Sequence, residues 1–261
     1  MCSTPLSSTD TLDNFARMKT LFYTAMVLGM TLINGPADDL PRLIESNLGK
    51  AVTFSGTTSP DGKYALGWTL KAKNSNVAPV DWSLWKPDDD TAFITLPQYN
   101  FDDDDPKARL YTLQDVIIDL TTQYATVLPS TFPYSPHKNN GDLHVLWSSE
   151  KHGPVYAVVV NDNALGTWDM WLVKADGALK IVQITDACNK AVDALLKAKK
   201  LPSSQYATTY AMDDSGTTVG SFATPNVIIP FFSSPPKEDT GITGSLTVRL
   251  EDGKIMKATM N

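Results

Sequence analysis

The chain has 261 residues, 42% of them hydrophobic, and its 22 Lys and Arg against 29 Asp and Glu give a formal net charge of −7. That balance excludes a nucleic-acid binder working through phosphate contacts, which needs clustered cations. Nor is there a Gly-x-Gly-x-x-Gly, a Gly-Lys-Thr or a Gly-x-Ser-x-Gly motif, so neither nucleotide chemistry nor a hydrolase nucleophile elbow has a motif behind it.

In chain order, the first feature is a basic start at Arg17 and Lys19 followed by the uncharged apolar run 21–33. Asn34-Gly35-Pro36-Ala37 then places the small residues Gly35 and Ala37 at −3 and −1 of a cleavage site before Asp38. This basic, apolar, small order predicts a cleavable export signal, with 1–16 as an upstream extension. The run is shorter than the ~20 residues a membrane-crossing helix needs, so no stable span is expected after cleavage. The expected location is periplasmic or extracellular. Removing 1–37 leaves 224 residues, read as a single β-rich domain at 38–261. The removed piece holds two cations (Arg17, Lys19) and two anions (Asp10, Asp13), so the net charge stays −7, and Cys188 remains the only cysteine. No intrachain disulfide is then available, and the core must hold the fold.

Past residue 50, short apolar or aromatic runs alternate with turn chemistry: Ser59-Pro60-Asp61-Gly62, Asp176-Gly177, Asp213-Asp214-Ser215-Gly216 and Asp252-Gly253. Strands are predicted at 52–55, 64–70, 92–96, 115–120, 124–128, 143–147, 155–160, 168–174, 180–184, 218–222, 226–231, 245–250 and 254–259. One segment differs. Cys188, Ala191, Val192 and Leu195 recur at helical spacing, Thr185 or Asp186 is placed to cap, and Pro202 forbids continuation, predicting a helix over 186–201. Lys197, Lys199 and Lys200 at its end offset the helix dipole. Cys188 on the apolar face reads as a small buried hydrophobe.

The segment Ser59-Pro60-Asp61-Gly62-Lys63-Tyr64-Ala65-Leu66 resembles the repeat motif of the TolB-like β-propellers, in which such a turn leads into a blade strand. Val116-Ile117-Ile118-Asp119-Leu120-Thr121-Thr122 is similar to a blade's strand end in the same family, with Gln123 standing where that pattern has glycine. The resemblance spans roughly residues 52–185 and implies stacked antiparallel sheets. With one full copy of the motif and a helix interrupting the series, the fold class expected is all-β with one helix, as an incomplete or degenerate β-propeller, the alternative being a two-sheet sandwich.

Several residue groups suggest chemistry. The acidic runs Asp88-Asp89-Asp90 and Asn100 to Pro106 offer hard oxygen ligands, but an EF-hand counted from Asn100 would need glycine at Asp105 and glutamate at Tyr111. His137, His144 and His152 fit no compact zinc spacing. No metal or cofactor is expected. Ser148, Ser149, His152 and Asp162 lie close in sequence, yet lack the glycine-flanked presentation a serine nucleophile uses. The aromatics remain. Trp82 with Trp85, and Trp168 with Trp171, share a Trp-x-x-Trp spacing that on a strand sends the two rings to opposite faces, leaving one of each pair free to stack on a sugar. Asp162, just before Trp168, supplies a hydrogen-bonding partner. The reading is an exported, non-catalytic module that binds an unknown protein or glycan through Trp82, Trp85, Asp162, Trp168 and Trp171. Two alternatives stand: a secreted glycosidase using paired carboxylates among Asp81, Glu150, Asp162 and Asp169, and a structural component of the cell envelope.

Overall fold

A computed structural model describes residues 41–72, 74–85, 111–129, 143–148, 154–163, 166–210, 220–235 and 241–261, all within the unit formed by Gly35–Met212 and Val219–Asn261. Sheet A is built from β1 (Leu43–Ser46), β2 (Gly49–Thr58), β3 (Tyr64–Ala72), β4 (Tyr111–Asp119) and β5 (Tyr124–Val127), hydrogen-bonded in that order and antiparallel throughout. Side-chain oxygens set its hairpins. At the β2–β3 turn, Asp61 accepts from the Ser59 hydroxyl at 2.6 Å and the Lys63 N–H at 3.2 Å, while Gly62 takes φ 73°. Burial alone would raise the Asp61 carboxyl, but the Ser59 and Lys63 contacts outweigh it and hold the group below its ordinary value. At the β4–β5 turn, Asp119 accepts from the N–H groups of Thr121 and Thr122.

Gln123, at the position where the resembled motif carries glycine, has φ 57°. A side chain at positive φ costs ~1 kcal/mol, which glycine avoids. Gln123→Gly is therefore expected to raise stability by about 0.5–1 kcal/mol in urea titrations; a loss of stability would show that the Gln123 side chain contributes more than its backbone strain removes.

Sheet A curls into a half-barrel. Its first and last strands approach each other at Asn47, whose carboxamide accepts from the Ala125 N–H at 2.6 Å and donates to the Ala125 carbonyl at 3.2 Å. One side chain thus makes both bonds that a neighbouring strand would supply. Ala51, Val116, Ile118 and Ala125 fill the inside of the curl.

Sheet B is a meander of β6 (Leu143–Trp147), β7 (Val155–Asn163), β8 (Gly166–Asp176) and β9 (Ala178–Gln183). Its alternate residues serve two different cores. Ala157, Val159, Trp171 and Val173 pack with Val52, Phe54, Leu66, Trp68 and Ile117 of sheet A. Val158, Val160, Met170 and Leu172 pack on the other side, against α1 and sheet C. A sheet buried on both faces has no polar face to show, which is why β7 and β8 read as near-continuous apolar runs rather than as alternation.

The chain then forms α1 (Thr185–Ala198) and sheet C, built from β10 (Ala207–Thr209), β11 (Ser221–Ala223), β12 (Asn226–Ser234), β13 (Ile242–Arg249) and β14 (Ile255–Met260). Strand β12 pairs with β10, β11 and β13, and β14 follows β13. Among the described residues there is one α-helix, and the sheets are antiparallel, stacked as propeller blades or sandwich layers are.

The helix differs from expectation at both ends. Neither Thr185 nor Asp186 caps it; Ile184 stands at the N-cap without a side-chain bond, because the Thr185 hydroxyl instead accepts from the Met170 N–H at 2.7 Å. The helix stops at Ala198, before Pro202 can act. Lys200 takes φ 61°, the Leu201 N–H reaches the Leu196 carbonyl and the Lys200 N–H the Lys197 carbonyl, a Schellman closure whose apolar contact is Leu201 within the helix core. Cys188, Val192 and Leu196 are its buried face; burial pushes the Cys188 thiol up to about 12. Strands β1 and β10 had no periodic pattern to announce them, and the expected strand at 92–96 lies outside the described residues.

Candidate functional site

The segment from Asp81 to Trp85 is not a strand. Asp81 accepts from the Ser83 N–H at 3.1 Å and from the Ser83 hydroxyl at 2.6 Å, and the Trp85 N–H bonds the Trp82 carbonyl at 3.1 Å, closing a 3-10 turn at Trp82–Leu84. In that geometry residues three apart eclipse each other. Trp82 and Trp85 therefore do not go to opposite faces as the strand reading requires. Both are half-buried and pack against the same core, the one between sheets A and B. Trp82 lies against Trp68 with ring centroids 5.9 Å apart. The Trp85 Nε1 is buried and has no hydrogen-bond partner among the described residues.

Two further tryptophans, absent from the spacing argument, line the same seam. Trp147 stacks on Tyr64 at 6.3 Å and donates to the Thr57 carbonyl at 2.8 Å. Thr57 is carried out to it by an irregularity in the β2–β3 register between Thr53 and Thr58, where Gly56 takes φ 70°. Trp68 is fully buried. Only the count of six tryptophans hinted at this concentration.

Trp171 is fully buried on β8 and its Nε1 donates to the Pro129 carbonyl at 2.8 Å, so it offers no ring face to a ligand. The backbones of Asp162 and Trp168 belong to β7 and β8, and their side chains lie outside the described residues. Next to Asp162, Asn161 is buried directly across from Asp169, which is itself buried and accepts from Gln183 Nε2. The Asn161 Nδ2 has no partner among the described residues. Asn161 and Asp169 thus belong to the interior of sheet B, not to a binding rim.

Of the carboxylates considered for glycoside hydrolysis, Asp81 is fully exposed, and the Ser83 hydroxyl, then the Ser83 N–H, hold it below its ordinary value. It stays ionised at neutral pH, whereas the acid of such a pair needs a raised pKa. Asp169 is buried, and Glu150 lies outside the described residues. Ser148 is buried with its hydroxyl accepting from the Tyr156 N–H at 2.9 Å, a structural role. His144 is half-buried on β6, while His137, His152 and both acidic runs lie outside the described residues. Among the described residues no three His, Cys, Asp or Glu converge as metal ligands, and no helix is long and apolar enough to cross a membrane. What the described residues assemble is an aromatic seam that includes the partly buried Trp82 and Trp85 of the capped turn. Compared with protein families, with curated proteins and with solved structures, the chain matches none.

Proposed function

We propose that this chain is an exported, non-catalytic binding module whose ligand, a protein or a glycan, docks at the turn carrying Trp82 and Trp85. The observation that supports the reading is the state of those two indoles: partly buried, neither closed in as Trp68 and Trp171 are, and carried on a turn that the Asp81–Ser83 bonds fix. A preorganised aromatic pair contributes contact area with little rotamer entropy left to lose on binding. Export rests on the order of charge and hydrophobicity over 17–37. A TolB-like ancestry rests on the motifs at 59–66 and 116–122 and accords with a stack of meander sheets.

Intrinsic fluorescence titration with neutral oligosaccharides of several linkages, beside affinity capture with immobilised protein, tests the reading. Trp85→Ala is expected to weaken whichever ligand binds by at least tenfold, about 1.4 kcal/mol, while Ser204→Ala, on an exposed residue of the Ser203–Gln205 turn, leaves it unchanged. Equal binding by the Trp85 and Ser204 variants would remove the turn as the docking site.

A further inference from the structure

Sheet C turns its inward residues to the helix core: Val227, Ile229 and Phe231 of β12, and Leu246 and Val248 of β13. The outward residues of the same strands are of another kind. Down the middle run Ile228, Pro230 and Phe232 of β12, the first two half-buried and the last 37% exposed. Beside them β13 presents Thr243, Ser245 and Thr247, in register with Phe232, Pro230 and Ile228 respectively. Thr259 of β14 faces Ser245, and their hydroxyls bond at 2.9 Å. On the opposite side Thr209 of β10 faces Phe232, and Ser221 of β11 faces Ile228. The result is an apolar stripe with a row of three hydroxyls along β13 and a single hydroxyl at each end of its other side.

Charge distinguishes this face. The chain holds 29 Asp and Glu, and strands of both sheet A and sheet B contain some, yet β10 to β14 contain none. The cations are two: Lys257 stands opposite Thr247, and Arg249 is tied to Asp252 of the β13–β14 turn through two bonds. A face that served only to stay in water would mix both signs of charge. One evolved for an anionic polymer would cluster Lys and Arg.

The Phe232 ring is kept down on the sheet by Gly241, since any Cβ there would overlap it. Each serine or threonine hydroxyl carries one donor and two acceptor sites; Ser245 and Thr259 bond each other, Thr259 also bonds the Ser245 carbonyl and Thr209 the Phe232 carbonyl, which leaves acceptor lone pairs on these hydroxyls. A sugar ring has the complementary make-up, an apolar C–H face and an equatorial rim of hydroxyls. We infer that the outer face of sheet C binds an extended, neutral polysaccharide, its C–H faces on Phe232, Pro230 and Ile228 and its hydroxyls on the flanking Ser and Thr side chains. This site is separate from the turn of Trp82 and Trp85, and either stands if the other fails.

Affinity electrophoresis of the full chain through gels holding hydroxyethylcellulose, xyloglucan, soluble glycol chitin or, as an anionic contrast, alginate provides the test. Retardation by at least one neutral polymer is expected, with little or none by alginate. Ser245→Glu, which puts a bulkier, charged side chain at the centre of the face in register with Pro230, is expected to weaken it at least tenfold. Phe232→Ala is expected to weaken it several-fold, and Trp85→Ala to leave it intact. The inference is overturned if no neutral polymer retards the chain, if alginate retards it more, or if Ser245→Glu binds like the parent. It is equally overturned if sedimentation shows a dimer that Ser245→Glu dissociates, because a second copy then occupies the face.

Discussion

Trp171→Ala is expected to lower the free energy of unfolding by about 3–5 kcal/mol, and Met170→Ala, one residue before it, by about 2–5 kcal/mol. Either is a large share of the roughly 5–15 kcal/mol that holds a domain together. The two side chains are consecutive on β8 and face opposite cores, Trp171 toward sheet A and Met170 toward α1 and sheet C. Both are fully buried. In a two-layer sandwich one of two consecutive strand residues faces solvent and tolerates alanine within about 0.5 kcal/mol. Urea titrations at constant m-value measure both losses, and a loss below about 1 kcal/mol at either position would remove sheet B from the centre of the stack. Trp171→Phe separates packing from hydrogen bonding: it keeps most of the apolar volume but leaves the Pro129 carbonyl without its indole donor, which costs about 1–3 kcal/mol.

Gly244→Ala is expected to cost about 3 kcal/mol, and Gly244→Val more. Gly244 lies directly across from Phe231 on β12 and from Met260 on β14. A Cβ at this position would overlap both the Phe231 ring and the Thr259 carbonyl oxygen. The ring is 2% exposed and closed in by the helix core, and the oxygen is backbone, so neither can swing aside. Gly67 is the counterpart in sheet A, where an added Cβ would meet the Val52 carbonyl and come within 2.9 Å of Ile118 Cδ1. Phe231→Leu in the Gly244→Ala background is expected to recover part of the loss and leave the share owed to the backbone oxygen. A positive coupling in that double-mutant cycle identifies the ring as the obstacle; a cost below about 0.5 kcal/mol for Gly244→Ala alone would mean the strands re-space freely.

Much of the fold is legible in local chemistry. Asp61 with Gly62, and Asp119 with the residues after it, bond their own backbones within three positions, so a reader of the sequence sees the hairpins they close. The helix is legible for the same reason, as the period of Cys188, Val192 and Leu196 is a local property. Its ends were not, because the Thr185 hydroxyl serves Met170, fifteen residues earlier. The site was harder still. Strand periodicity sends Trp82 and Trp85 to opposite faces, but the Asp81 cap winds the segment into a tight turn and both rings go to one core. Trp171 has the composition of a ligand platform and the position of a core residue. The acid-free strands of sheet C are visible residue by residue, yet they become a face only once register sets Thr243, Ser245 and Thr247 beside Phe232, Pro230 and Ile228.

Sheet B, whose central strands alternate apolar residues between two cores over 157–160 and 170–173, also constrains the order in which the chain can be made. A nascent chain that has emerged as far as Gln183 has sheet A to cover one side of sheet B. The other side, with Val158, Val160, Met170 and Leu172, has only α1 to cover it until β12, β13 and β14 arrive. The last of those strands ends at Met260, so at synthesis rates of about 5–20 residues per second the part-covered surface persists for roughly 4–15 s. During that interval the half-made protein presents a twisted apolar sheet with unpaired edges at β6 and β9, the kind of surface on which neighbouring chains aggregate and holding chaperones bind.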